Sequence, residues 1–126
     1  MIPPLATFAL AGAAIGVIAL GVLAVQFLRD PQHGLVRTTH RVADLPRVMA
    51  NRYTAFTMLA CGATAYRDLN VIAFLFAVFA FMGFADAWTY AQAGAPYSKH
   101  LIAGAAALFV AGVAIAALIF QPGASA

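Results

Sequence analysis

Apolar residues fill this chain in four long stretches, broken only by short polar connections. The stretches are Leu5–Leu28, Val48–Tyr66, Leu69–Ala91 and Leu101–Phe120. A helix needs roughly 20 mostly apolar residues to cross ~30 Å of hydrocarbon, and each stretch is close to that length or beyond it. The pattern predicts an all-α protein, a four-helix transmembrane bundle that forms a single integral membrane domain over residues 1–126.

The connections punctuate the pattern in recognisable ways. Pro3-Pro4 opens the first stretch, and proline is well tolerated at a helix start. No basic residues precede that stretch, so it reads as an uncleaved first helix and not as a signal peptide. Arg29-Asp30-Pro31 ends it. Residues 29–46 are the one sizeable polar segment, with Leu35, Val36, Val42 and Leu45 scattered among arginines. That mixture suits a short interfacial helix whose arginine stems reach for headgroups. Asn51 and Arg52 precede the clean apolar run Ala55–Ala65. Arg67-Asp68 leaves room only for a tight turn, with Asp68 placed to cap the third helix. Trp88 and Tyr90 sit near the end of that helix as interfacial anchors. The fourth stretch follows Gly94, Pro96 and Tyr97, and its alanines, Gly104 and Gly112 describe a closely packed helix. Gln121-Pro122-Gly123 ends it. Gly12 and Gly16 permit close helix approach, first against a helix of the same chain and second in a homo-dimer.

Charge adds an orientation. Only 9% of residues are charged, against about 25% in soluble domains, so a water-soluble fold is excluded. Arg29, Arg37, Arg41, Arg47 and Arg52 crowd the first connection and Lys99 lies in the third. With four spans both connections share one side, which the positive-inside rule makes cytoplasmic, with N-out and C-out termini. These arginines are not interleaved with stacking aromatics, so membrane lipids are the expected partner and nucleic acid is not. Cys61 is alone and is expected to be a small packing residue. His33 and His40 are seven residues apart, without further ligands for a metal. His100 has no matched histidine for haem. No cofactor and no metal are expected, and no nucleotide-binding or catalytic-serine motif occurs.

Candidate chemistry concentrates in one place. Arg52 opens the second stretch, Asp86 nears the end of the third and His100 opens the fourth. Antiparallel packing brings them to a similar depth at the cytoplasmic side, with Asn51, Tyr53 and Tyr90 as further pocket residues. Lys99, Thr89 and Gln26 lie within reach of the same depth. Three readings follow. In a structural clamp, the Arg52 guanidinium grips the Asp86 carboxylate. In a binding pocket, Arg52, Asp86, His100, Tyr53, Tyr90 and Asn51 receive a lipophilic ligand. In an enzyme, His100 or Asp86 is the base and Arg52 stabilises an anion, because imidazole exchanges protons near neutral pH. The chain has no glutamate, which disfavours a two-carboxylate mechanism and a proton-coupled exporter.

The order of these features resembles a known family. A glycine-rich first span leads into a polar loop. Asn51-Arg52-Tyr53 opens the second span, Arg67-Asp68 turns the chain, Phe84-Ala85-Asp86-Ala87 ends the third span, and Gly94 and His100 precede the fourth. The pattern is similar to small four-helix bacterial membrane proteins of the DoxX-like superfamily, in one of its domain-of-unknown-function families. The resemblance implies a multi-pass protein of the bacterial inner membrane with an accessory role beside quinones or oxidoreductases. Relatives usually carry aspartate after the arginine, where Tyr53 stands here, so only Arg52, Asp86 and His100 carry over. The expected function is a small polytopic membrane protein acting as an accessory subunit or lipophilic-ligand binder, with a cytoplasm-facing polar pocket. The alternatives are a membrane-embedded acid–base enzyme and, more weakly, a transporter subunit. A lipophilic small molecule or quinone, a homo-dimer and a larger membrane complex are the partners to look for.

Overall fold

Five α-helices follow one another in the computed structural model, which describes residues 4–120. They are α1 (Pro4–Arg29), α2 (Pro31–Arg37), α3 (Leu45–Tyr66), α4 (Leu69–Gln92) and α5 (Ser98–Phe120), with a 3₁₀ turn at Val42–Asp44. The described residues contain no strand. The chain is all-helical as expected, and two of its helices, α4 and α5, are long and apolar enough to cross a membrane. The Gln121-Pro122-Gly123 stop, Met1–Pro3, and the side chains of residues 4–10, Ala13 and Ala14 lie outside the described residues. The helices fall into two compact units that divide inside α3, between Asn51 and Arg52.

In the N-terminal unit, the polar segment folds through local hydrogen bonds. Asp30 accepts from the His33 amide at 3.0 Å, and Pro31 takes the first helical position, so α2 starts one residue after α1 stops. Gly34 sits under the Phe27 ring, where a Cβ would come within 2.8 Å of it. The Gln26 amide, oriented by its surroundings, accepts from Arg37 Nη1 at 2.5 Å. Thr39 (φ 59°) ends α2 in the left-handed region. Arg41 and Asp44 form an exposed ion pair at 2.9 Å, of the kind that adds little stability. Among the described residues, nothing lies within 4 Å of a Cβ built on Gly12 or Gly16.

In the second unit, α4 and α5 form an antiparallel hairpin held by small residues. The buried positions of α4 are Ala73, Ala80 and Ala87, seven apart. Those of α5 are Gly104, Ala107, Ala111 and Ala114, in the three-four alternation of a heptad seam. Small side chains let the two backbones approach, and close van der Waals contact holds such a pair. The tightest point is Gly83 against Gly104. A Cβ on Gly83 would lie 2.6 Å from both the Cα and the N of Gly104. Gly112, expected in the same seam, faces open space. Large apolar side chains project outward instead, among them Trp88 (67% exposed) and Phe109 (72%). Exposed apolar surface on this scale marks a face that contacts a membrane or another protein.

Turns fix the hairpin. At the end of α4 the Gly94 amide donates to Ala91 O at 3.1 Å and the Ala95 amide to Tyr90 O at 2.9 Å. This is a Schellman cap, and it places Gly94 at φ 68°, where a side chain is strained. Asp68 caps α4 as expected, accepting from the Asn70 and Val71 amides at 2.8 and 3.4 Å. Arg67, just before it, is left-handed (φ 55°) and forms no ion pair with Asp68 among the described residues. Left-handed backbone costs a non-glycine residue roughly 1–2 kcal/mol. Arg67→Gly is therefore expected to stabilise the protein by up to about 1 kcal/mol, part of the gain going to the looser unfolded chain. A detergent unfolding titration checks this through a higher midpoint with an unchanged slope.

Two helix starts differ from the sequence reading. α3 begins at Leu45 and not at Val48, because Pro46 fits the first turn of a helix. α5 begins at Ser98 and not at Leu101, so Lys99 and His100 are already helical. Cys61, expected to pack, is exposed on α3.

Candidate functional site

α3, α4 and α5 frame a cleft of about 210 Å³. Its walls follow helical spacing on all three elements. Tyr53 and Phe56 come from α3. Phe79, Met82, Gly83 and Asp86 come from α4, at offsets of three, four and seven. His100 and Ala103 come from the first turns of α5. Residues so spaced share one face of a helix, so each helix presents a single side to the cleft. The bare backbone of Gly83 lets α5 approach and brings His100 toward α4. Its Cβ position lies only 3.0 Å from the His100 carbonyl oxygen.

Most of the lining is apolar. The Phe56 and Phe79 rings meet at 5.7 Å between centroids, tilted 60°, and Tyr53 stands edge-on to Phe56 at 6.1 Å. Such tilted and edge-on pairs are favourable aromatic geometries. Asp86 and His100 supply the polar end. Asp86 Oδ2 lies 3.8 Å from His100 Nδ1, with 55% and 31% of the two side chains exposed. This distance is beyond a direct hydrogen bond. The His100 ring lies flat on Tyr90, with centroids 4.7 Å apart and 12° between planes, which fixes the plane of the imidazole. Tyr90 is four residues beyond Asp86, on the same side of α4.

The structure thus brings together Asp86, His100, Tyr53 and Tyr90 of the expected residues. It does not bring in Arg52, which is exposed and makes no ion pair among the described residues, so the expected grip of Arg52 on Asp86 is absent. Arg52 lies four residues before Phe56, but it and Asp86 are both exposed, and exposed charges gain little from pairing. Asn51 and Gln26 belong to the N-terminal unit, where Gln26 is engaged with Arg37. Lys99 and Thr89 are exposed, and the Thr89 hydroxyl donates back to Ala85 O at 3.0 Å. Phe56, Phe79, Met82, Gly83 and Ala103 were not expected in the site, although helical offsets from Asp86 and His100 signalled all of them but Phe56, which lies on α3.

A larger hollow of about 640 Å³ lies between α3 and α4 near the Arg67 turn. It is lined by apolar groups such as Met58, Leu59, Phe74 and Leu75, and it contains no ionisable residue other than Tyr66. No cluster of three His, Cys or Asp side chains that could hold a metal occurs among the described residues. Set against protein-family models, curated proteins and solved structures, the chain matches none. The geometry of the cleft therefore carries the functional conclusion.

Proposed function

We propose that this chain is a four-span membrane protein that holds a lipophilic small molecule in the α3–α4–α5 cleft, with the polar end of the ligand on Asp86 and His100. One observation carries the reading. The chain has four acidic residues, all aspartates. Asp30 caps α2, Asp68 caps α4 and Asp44 pairs with Arg41. Asp86 alone has no hydrogen bond among the described residues, and it lines a cleft. A carboxylate in an apolar helix is expensive to keep and marks a site by default. The aromatic walls supply the binding area and the Asp86–His100 pair the specificity, which is the usual division of work in a small-molecule pocket.

The placement in the bacterial inner membrane, with α1 and α3 as the two further spans and both termini outside, is part of the same proposal. It is supported by the outward-facing large apolar side chains and by the basic residues of the first and third connections. The DoxX-like resemblance extends it to an accessory role in a membrane complex, now resting on Asp86 and His100 without Arg52 in the site. Membrane-impermeant thiol labelling of intact cells tests the orientation in a Cys61→Ala background. Arg67→Cys is expected to label and Lys99→Cys to stay unlabelled until the membrane is opened. The reverse result overturns the orientation, and labelling of both overturns the spans. Mass analysis of solvent extracts of the protein, purified in discs of its own membrane, tests the ligand. One lipophilic species near one per chain is expected above the lipid background, and lipid alone counts against the site.

A further inference from the structure

The polar end of the cleft restricts what can sit there. Nδ1 of His100 and Oδ2 of Asp86 are 3.8 Å apart, too far for a direct bond and close enough for one atom to serve both. An oxygen at about 2.8 Å from each closes the triangle with an angle of roughly 85°, within reach of two hydrogen bonds. The carboxylate is acceptor-only. With a hydrogen on the imidazole nitrogen that faces it, the pair offers one donor and one acceptor. A bridging group must then accept from His100 and donate to Asp86. A hydroxyl does both. An ether or ketone only accepts, and an ammonium only donates. The stack on Tyr90 keeps the imidazole plane, and so the aim of Nδ1, fixed before the ligand arrives.

Resting on the reading of the cleft as a ligand site, we infer that the group it takes is a hydroxyl and that it selects lipophilic alcohols and phenols. The apolar part meets Phe56, Phe79 and Met82. The volume of about 210 Å³ exceeds the roughly 150 Å³ that suffices for benzene, so one ring with its hydroxyl fits and any tail runs out toward lipid.

The probes are 4-propylphenol and its methyl ether 4-propylanisole, titrated against the full chain in lipid nanodiscs and corrected with protein-free discs. A hydrogen bond to a charged group is expected to make the phenol bind roughly tenfold tighter than the ether, or better. Asp86→Asn is expected to bring the phenol down to the level of the ether and to leave the ether unchanged. Phe79→Ala is expected to weaken both probes alike. Equal binding of phenol and ether overturns the hydroxyl assignment and leaves the apolar cleft standing as a ligand site. Phenol binding that is insensitive to both substitutions overturns it as well, by placing the probe elsewhere. No binding of either probe above empty discs removes the ligand site together with this inference.

Discussion

Gly83→Ala will separate α4 from α5. The added methyl would fall 2.6 Å from two backbone atoms of Gly104, and no side chain can swing aside to make room. The helices must move apart along the seam of Ala73, Ala80, Ala87, Ala107, Ala111 and Ala114, whose contacts hold only at close range. Overpacking of a tight interface costs about 1–3 kcal/mol, and the backbone obstacle puts this case at the upper end. Gly104→Ala meets the edge of the Phe84 ring at 3.0 Å and the Phe84 backbone nitrogen at 3.1 Å, a milder conflict than the two backbone atoms at 2.6 Å, and is expected to cost less. Gly112→Ala meets nothing and is expected to leave stability unchanged or slightly improved. Unfolding midpoints of the three variants in one detergent should fall in that order. A Gly83 variant as stable as wild type would contradict the crossing. The effect also reaches the cleft, because the Gly83 crossing is what delivers His100 to Asp86.

Asp86→Asn will weaken binding in the cleft tenfold or more without unfolding the protein. Asp86 makes no hydrogen bond among the described residues, and its one polar neighbour is His100 at 3.8 Å. The loss in stability is expected to stay within about 0.5 kcal/mol, the range of substitutions that break no packed contact. The loss in binding is expected to be tenfold or more, since a hydrogen bond to a charged group is worth about 1.5–3 kcal/mol. A structural clamp would give the opposite pair of results, a clear drop in midpoint with no change in what is bound. Unfolding titrations and extract analysis on the same preparation separate the two. Tyr90→Ala offers an intermediate case. It removes the surface that orients His100 and leaves the apolar lining of the cleft in place, so weaker binding with a full apolar contribution is expected.

The helices are legible in the sequence because polar residues are confined to short connections between long apolar runs. Asp68 was readable as a cap because it precedes an apolar run by one residue. Helix starts were less readable. Hydropathy ends a helix where polar side chains begin, yet Ser98, Lys99 and His100 continue α5 by a full turn at no cost near an interface. Asp86 and His100 stood out as the ionisable groups of otherwise apolar segments. Arg52 was drawn to them by charge alone, and charge is a weak guide to contact between exposed side chains. Gly83 was overlooked because a single glycine in an apolar span is common, and its counterpart Gly104 lies on another helix, 21 residues on. The spacing Phe79, Met82, Gly83, Asp86 was present in the sequence as one face of a helix. Only the hairpin, closed by Gly94, reveals what that face looks at.

Photo-crosslinking from inside the cleft tests the occupied site most directly. Benzoylphenylalanine placed at position 79 reports on the cleft, and at position 109 on the outward, lipid-facing surface of α5. After illumination in native membranes, position 79 is expected to capture one dominant lipophilic species that disappears when Asp86→Asn is added, while position 109 captures the mixed membrane lipids in both backgrounds. The same lipid mixture at both positions, indifferent to Asp86, would contradict the binding site.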